Sequence, residues 1–363
     1  MSTIVTFGEV MGRVCPPGFK RFRQAMPGDL NLTFAGAEAN VASSISMLGA
    51  EARFVTALPV NDITTACKGT LEGLGVDTSY IVDSDEGRLG LYFVEAGANQ
   101  RPSRVIYDRD HSAVSMTGPD AYDWDGILDG AKWFHTTGIT PSLSAQSAET
   151  TIEAVKRAKA AGLQVSCDLN FRNKLWKWKP GSSAKELAQE TMRQVLPYVD
   201  VVIGNEEDAA DVLGIHAENT DIHGGKIDAA KYTDVARKIT EQFPNVSKVA
   251  ITLRESISAS HNNWGAMLYI KSEDKAYFAP LDGQEYSPYE IRNIVDRVGG
   301  GDSFGAGLIF ALNTPELSGA QDAIAFAVAS SCLAHSIYGD FNFTTRSEVE
   351  ALLKQGGSGR VVR

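Results

Sequence analysis

The chain has 363 residues, of which 43% are hydrophobic and 22% charged, enough for one large α/β domain or two domains. Its net charge of −11 argues against a nucleic-acid-binding surface, and it has no run of about 20 apolar residues that would predict a membrane span. Four widely spaced cysteines indicate reduced thiols in a cytoplasmic protein, and the first residues lead directly into a strand pattern, so we expect no signal peptide.

Short apolar runs typical of strands alternate with helical patterns along most of the chain. Strands are predicted at residues 3–8, 53–58, 132–137, 163–168, 199–203 and 248–253. Helices are predicted at about 40–48, 63–73, 146–161, 184–196, 206–213 and 228–242. Two further strands, 265–270 and 276–279, precede three helices at about 302–312, 319–335 and 347–354, and the tail 356–359 is expected to be disordered. The alternation predicts βαβ units around a mostly parallel sheet.

Two segments interrupt this alternation with strand patterns that have no helix between them. The clearest are residues 87–96 and 104–108, which read as a hairpin. They predict a small antiparallel sheet that projects from the α/β body beside the ligand cleft, where it would act as a lid. We therefore predict two parts: a catalytic core of residues 1–10, 36–86 and 111–363, and a lid of residues 11–35 and 87–110.

Three glycines, Gly299, Gly300 and Gly301, run into Asp302 at the start of a helical pattern. Glycines at a helix start leave backbone N–H groups unshielded, which favours an anion site. A carboxylate beside that site is poorly placed to bind a phosphate but well placed to take a proton from an attacking hydroxyl. The alternative is that Asp302 only caps the helix.

Polar residues also follow the predicted strands, where open α/β sheets bind ligands. Asn170 and Arg172 come just after one strand, beside Asp168, and Asn205 and Asp208 follow the next. The acidic residue Asp208 is a candidate for holding Mg²⁺ through water, although carboxylates are also common at helix starts for electrostatic reasons.

Two further groups of residues suit a small-molecule site. Gly36 and Asn40 flank a helix start, where a ligand can approach the backbone and bond the amide; a simple tight turn is the alternative. Tyr107 and Arg109 share one face of a lid strand, and an arginine fork beside a hydroxyl suits a carboxylate; the alternative is a solvated strand edge. The chain has neither a Walker-type phosphate loop nor a dinucleotide-binding glycine motif.

Together these residues resemble the ribokinase-like, or PfkB, carbohydrate kinases over nearly the whole chain. The motifs that carry the resemblance are Gly-Ala-Glu-Ala-Asn at 36–40, Asn-x-x-acid at 205–208 and Gly-Gly-Gly-Asp at 299–302. The family usually has threonine where this chain has Arg297, and glutamate where it has Asp208. An insertion at residues 256–263 has no equivalent in the common family pattern.

The resemblance implies a three-layer α/β/α sandwich and transfer of a phosphoryl group from ATP with Mg²⁺; a monovalent cation such as K⁺ is left open. It implies that Asp302 is the catalytic base and that the glycine run is the anion hole. The nucleotide is expected beside Asn205, Thr252, Arg254, Gly299, Gly301 and Ser331.

Within the family the chain is most similar to the 2-keto-3-deoxygluconate kinases, through Tyr92, the Tyr107 and Arg109 pair, Arg172 and the segment 339–342. The sugar acid is therefore expected to contact Gly36, Asn40, Tyr92, Tyr107, Arg109, Asn170, Arg172 and Asp302. Arg13 stands where ribokinases carry an aspartate for ring hydroxyls, which speaks against a neutral sugar. The alternatives are a kinase of a neutral sugar such as fructose and a sensor without activity. Apolar lid strands predict a homodimer or higher homo-oligomer through the lid.

Overall fold

A computed structural model of the protein describes residues 3–216 and 229–355. Its strands within these residues are β1 (Thr3–Phe7), β2 (Met11–Cys15), β3 (Asn31–Ala35), β4 (Ala52–Val55), β5 (Ala57–Pro59), β6 (Val76–Asp77), β7 (Val82–Ser84), β8 (Gly90–Glu95), β9 (Arg104–Asp108), β10 (Ala131–Thr137), β11 (Gln164–Asp168), β12 (Val201–Asn205), β13 (Lys248–Ser258), β14 (His261–Ile270), β15 (Lys275–Ala279), β16 (Leu281–Asp282), β17 (Glu285–Tyr286) and β18 (Tyr289–Arg292).

The α-helices over the same residues are α1 (Phe22–Ala25), α2 (Ala37–Met47), α3 (Asp62–Gly73), α4 (Ala113–Met116), α5 (Trp124–Leu128), α6 (Ala145–Ala160), α7 (Ala184–Val195), α8 (Glu206–Leu213), α9 (Ala229–Gln242), α10 (Gly300–Leu312), α11 (Ala320–Ala334) and α12 (Arg346–Gln355). None of the helices described is long and apolar enough to cross a membrane.

The central sheet has ten strands, in the order β15-β14-β13-β12-β11-β10-β1-β4-β6, with β18 paired to β14. The pairs from β13 through β6 are parallel, whereas β14 pairs antiparallel with β13, β15 and β18. Parallel strands end at one edge of the sheet, so the loops after β11, β12 and β13 lie side by side.

Helices cover both faces of this sheet, because its strands are apolar on both sides. Alternate residues of β10 show this: Phe134 packs with the cluster that contains α5 to α9, and Trp133 packs with the cluster that contains α2, α3 and α10 to α12. The predicted three-layer α/β/α sandwich is confirmed.

A separate four-stranded sheet, called the small sheet here, has the order β3-β2-β8-β9. Its strands come from the two segments that interrupt the alternation in the sequence. The β2–β8 pair is parallel and the other two pairs are antiparallel, so the sheet consists of two hairpins joined side by side. That this sheet moves as a lid, and that it is a part separate from the core, stay predictions.

The predicted elements lie within a few residues of observed ones, but the short elements α1, α4, α5, β6 and β7 were not predicted. The strands predicted at 248–253 and 265–270 are longer, because β13 and β14 extend as a hairpin through the insertion at 256–263. The strands β16 to β18 were not predicted. The predicted tail, 356–359, lies outside the described residues.

Candidate active site

A cavity of about 710 Å³ lies between the small sheet and the carboxyl ends of β11, β12 and β13, next to the first turn of α10. This is where open α/β sheets bind ligands. Most of the predicted site residues line it: Gly36, Asn40, Tyr92, Tyr107, Arg109, Asn170, Arg172, Asn205, Asp208, Thr252, Arg254, Gly299, Gly301 and Asp302. Gly300 and Ser331 are not among the lining residues in the part of the chain described.

Asp302 lies in the first turn of α10, with Asn40 of α2 against its carboxylate. The Asn40 amide donates a hydrogen bond of 2.6 Å to Asp302 Oδ2, and its carbonyl oxygen accepts one of 3.2 Å from the Gly36 N–H. The N-cap residue of α10 is Gly299, so the alternative that Asp302 only caps the helix is wrong. Asn40, predicted to contact the sugar, holds the predicted base in place.

The surroundings of Asp302 make it a weak acid. Loss of water around the carboxyl raises the pKa of Asp302 to about 7, the hydrogen bond from Asn40 opposes this rise, and the negative charge of Asp340 adds to it. A carboxylate with a pKa near neutrality is suited to accept a proton from a hydroxyl, because general bases work best when their pKa is near the working pH.

The glycine run places backbone N–H groups beside this carboxylate. Gly299 has a φ of 84°, and a Cβ there would lie 2.3 Å from the Asp340 carbonyl oxygen, so both backbone conformation and space require glycine. The N–H groups of Gly301 and Asp302 have no acceptor among the described residues. At a helix start, such groups form a site for an anion.

Gly300 and Ser331 belong to the back of this loop, which corrects their predicted roles. Ser331 is fully buried, and its hydroxyl donates a hydrogen bond of 2.6 Å to the Gly300 carbonyl oxygen. A Cβ on Gly300 would lie 3.0 Å from the ring of His335, so this residue faces the protein interior. Ser331 therefore fastens the loop and is not in position to contact adenosine.

Arg109 faces the cavity from the end of β9, but its charge is already compensated. It is 5% exposed; its Nε donates to Glu9 Oε2 at 2.6 Å, and its Nη2 lies 2.5 Å from the same oxygen. Its guanidinium carbon lies 5.7 Å from the centre of the Tyr107 ring. The predicted free arginine fork is therefore wrong as stated, because Glu9 occupies the two nitrogens that would form it.

Tyr92 belongs to a buried charged cluster that the sequence did not predict. The Tyr92 hydroxyl donates to the Asp340 carboxylate at 2.7 Å, and the guanidinium of Arg13 forms ion pairs with both Asp340 and Asp296. The cluster connects β2 and β8 of the small sheet to the segments on either side of α10 and α11. A buried arginine needs carboxylate partners, so Arg13 was the signal available in the sequence.

Arg172 is the arginine of the sugar side that makes no direct ion pair with a described residue, although its charge opposes the rise that burial causes in the pKa of Asp168, Asp208 and Asp302. It is exposed, follows β11, and forms no ion pair with any described residue; its Nη1 donates to its neighbour's carbonyl at 3.2 Å. Asn170, next to it, has a φ of 36° and donates its N–H to Asp168 at 3.1 Å. Burial raises the pKa of Asp168 well above its usual range, and the charge of Asp208 adds to this rise.

Asn205 and Asp208 form the start of α8. The Asn205 side chain accepts hydrogen bonds from the Glu207 and Asp208 N–H groups, both at 2.9 Å. In return, Asp208 accepts from the Asn205 and Phe171 N–H groups at 3.2 and 3.1 Å. Helix capping thus accounts for these contacts, and the metal role of Asp208 stays a prediction. No group of three or more acidic, histidine or cysteine side chains forms a ready metal site in residues 3–216 and 229–355.

Known proteins resemble the chain over nearly its full length. A profile of the pfkB family of carbohydrate kinases matches residues 1–345. The chain belongs to the PfkB family of carbohydrate kinases. It is therefore a sugar kinase.

Three known proteins are similar to this PfkB protein in sequence or in structure. A 2-dehydro-3-deoxygalactonokinase of Haloferax volcanii is 31% identical, over 98% of each chain. A crystal structure of 2-dehydro-3-deoxygluconokinase from Thermotoga maritima is 43% identical, with a TM-score of 0.86 over 98% of this chain and 100% of that one. A putative ribokinase II from E. coli in complex with ATP and Mg²⁺ shares the fold, with a TM-score of 0.75 at 20% identity over 98% of this chain and 100% of that one.

Proposed function

We propose that the protein transfers the γ-phosphoryl group of ATP to the primary hydroxyl of a keto-deoxy sugar acid, 2-keto-3-deoxygluconate, forming its 6-phosphate. The observation that carries this proposal is the Asp302 carboxylate, held by Asn40 beside unpaired backbone N–H groups in a cavity that also contains an unpaired arginine, Arg172. The names of the two relatives above, one a galactono- and the other a gluconokinase, support this substrate class.

Asp302 accepts the proton of the primary hydroxyl as its oxygen attacks the γ-phosphorus, and the bond between that phosphorus and the β–γ bridging oxygen breaks. The N–H groups of Gly301 and Asp302 stabilise the negative charge that collects on the phosphoryl oxygens. Little covalent chemistry is left for the protein, so most of the rate enhancement comes from positioning and from these fixed dipoles.

Asp168 and Asp208 suit a hydrated Mg²⁺ ion that arrives with ATP. Each carboxyl lines the cavity. Burial raises the pKa of Asp168 and the charge of Asp208 adds to this rise, so a nearby cation would relieve the repulsion between the two carboxylates. When bound, the metal ion neutralises charge on the transferring phosphates. We place the polyphosphate between Thr252 and the glycine run. A K⁺ requirement stays an open prediction.

The sugar acid is placed on the side of the cavity formed by the small sheet and the loop after β11. Arg172, which makes no direct ion pair with a described residue, supplies positive charge for the carboxylate, and Arg109, Tyr107 and Asn170 also line the cavity. The Tyr92 hydroxyl already donates a hydrogen bond to Asp340. We therefore assign Tyr92 a positioning role and no direct bond to the sugar. We expect the small sheet to close over the bound sugar and exclude water.

The outer face of the small sheet is proposed as a contact between two copies of the chain. Leu32 and Ile106 are 50% and 60% exposed on it, beside the half-buried Phe93. Val105, the neighbour of Ile106 in β9, points to the other face of the sheet and lines the cavity. An exposed apolar face of this kind is typical of an interface.

A cytoplasmic location also stays a prediction.

A coupled assay of ADP release over a substrate panel tests the proposal. The panel contains 2-keto-3-deoxygluconate, its C4 epimer 2-keto-3-deoxygalactonate, fructose and ribose. We expect kcat/KM for one or both keto-deoxy acids to exceed that of the neutral sugars by at least about 100-fold, since a charged contact is lost with a neutral sugar. A faster reaction with fructose would make the protein a neutral-sugar kinase, and sugar-acid binding without ADP release would indicate a sensor.

A further inference from the structure

Two departures from the common family pattern meet in the structure: Arg297, where threonine is usual, and the insertion at 256–263. The insertion forms the tip of the β13–β14 hairpin, with Ser256 opposite Asn262. Arg297 Nη2 donates to the Ser258 carbonyl oxygen at 3.1 Å and to Asn262 Oδ1 at 2.9 Å. The hairpin tip therefore holds the arginine that precedes the glycine run.

Arg297 makes no direct ion pair with a described residue, although the charge of Asp296 opposes in part the lowering of its pKa by burial. Among the described residues no carboxylate pairs with it, since neighbouring Asp296 pairs with Arg13, and its buried Nε has no hydrogen-bond partner. Arg254, on β13, likewise makes no hydrogen bond or ion pair with a described residue. Burial lowers the pKa of Arg297, and the nearby charge of Arg254 lowers it further.

Both arginines line the cavity on the same side as Thr252 and the glycine run. Holding two unpaired cations close together is unfavourable unless an anion lies between them. On the opposite wall, Arg109 has its own carboxylate partner. The positive charges of Arg297 and Arg254 therefore suit a second anion, which would lie next to the N–H groups of Gly301 and Asp302.

We propose that Arg297 and Arg254 bind the terminal phosphates of the nucleotide, and that the insertion at 256–263 exists to position Arg297 for this contact. The proposal rests on the kinase function above and adds the residues that grip the polyphosphate. Arg297 and Arg254 supply planar donors that suit phosphate oxygens. A ligand relieves the repulsion between Arg297 and Arg254, and gains binding energy by doing so, only if it carries phosphates beyond the first.

The hairpin tip has a second contact that suggests a competing role. The Ala259 N–H donates to the Asn99 carbonyl oxygen at 2.7 Å, and the Asn99 N–H donates to Ser260 Oγ at 3.0 Å. Asn99 lies in the turn between β8 and β9, so the insertion also touches the small sheet. A brace for that sheet would need Ser260 and Ala259 but not Arg297.

Calorimetric titration of the full chain without sugar tests the proposal, using Mg²⁺ with ATP, AMP or inorganic tripolyphosphate. Arg297→Thr and Arg254→Gln should each weaken ATP and tripolyphosphate binding by about tenfold or more, while AMP binding changes less than about twofold. Asn262→Ala, which removes one acceptor that holds Arg297, should weaken ATP in the same selective way but by less. Thermal unfolding of each variant verifies that it is folded.

Two matched controls complete the experiment. Arg292→Thr removes an exposed arginine of β18 that pairs with Glu290, and Ser260→Ala removes only the contact with Asn99; both should leave the three affinities unchanged. Equal losses for AMP and ATP, or no loss for tripolyphosphate, would overturn the proposal. So would a loss of ATP affinity in Ser260→Ala. Since no sugar is present in the titrations, their result is independent of the proposed substrate.

Discussion

Burial raises the pKa of Asp302 and the hydrogen bond from Asn40 lowers it, and this balance predicts the pH dependence of the reaction. Asp302 must be ionised to act, so kcat/KM for the sugar acid should rise about tenfold per pH unit below a pKa of about 7 and level off above it. The hydrogen bond from Asn40 favours the charged form, so Asn40→Ala should move this inflection to higher pH. A pH profile of kcat/KM for both proteins measures the shift, and an unchanged or lower inflection would contradict this reading.

Arg172 should determine the preference for an acid. It forms no ion pair with any described residue, so Arg172→Gln is expected to lower kcat/KM for the sugar acid by about 10–100-fold, mostly through KM, with the KM for ATP nearly constant. The matched control is Arg237→Gln, an exposed arginine that pairs with Asp274 away from the cavity. If the KM for ATP rises instead, Arg172 belongs to the nucleotide side.

The start of helix α10 depends on Gly299 more than on the glycines that follow it. Gly299 has a left-handed conformation and touches the Asp340 carbonyl, whereas a Cβ on Gly301 meets nothing within 4 Å. Gly299→Ala should therefore lower the free energy of unfolding by at least about 1–2 kcal/mol from the backbone conformation alone, while Gly301→Ala should leave it unchanged or raise it. Urea unfolding of the two variants compares them directly; equal stability would show that the loop adapts.

The sequence predicted the elements well because each left a local signal. Apolar runs followed by helical patterns identified the central sheet, and the strand at Arg104–Asp108 was predicted with its observed bounds. The extension of the β13–β14 hairpin was missed because its residues are largely polar and their partners lie in distant segments, in β18, at Asn99 and at Arg297. A polar hairpin of this kind carries no hydrophobic periodicity.

The partners and roles of the side chains were harder to predict from the sequence than their positions in the fold. Most predicted site residues do line one cavity, because the ends of parallel strands meet. Which partner each residue has depends on distant parts of the chain: Glu9 pairs with Arg109, and Asp340 with Arg13 and Tyr92. Such pairs are separated by 100 or more residues, so no local pattern reveals them.

For the whole molecule, the apolar outer face of the small sheet predicts self-association. Light scattering at micromolar concentration should give at least twice the 39.1 kDa of one chain. Ile106→Glu places a charge in the proposed interface and should yield a monomer. Val60→Glu, at a 72% exposed position outside that sheet, should not. A wild-type mass of a single chain would exclude the interface.

The proposed phosphoryl transfer to a sugar acid depends on Asp302 as the base. Its raised pKa means that ionised Asp302 costs stability as the pH rises from about 4 toward 7, so Asp302→Asn should be at least as stable as the wild type at pH 8. A loss of activity in this variant can then be assigned to chemistry and not to unfolding.

The most direct test is the rate of ADP release by Asp302→Asn with saturating 2-keto-3-deoxygluconate and ATP, beside calorimetric binding of ATP. We predict a fall in kcat of about 10²–10⁴-fold, the usual range for loss of a general base, with the affinity for ATP changed by less than a few-fold. A variant that keeps kcat within a few-fold of the wild type would show that Asp302 does not take the proton, and the proposed mechanism would be wrong.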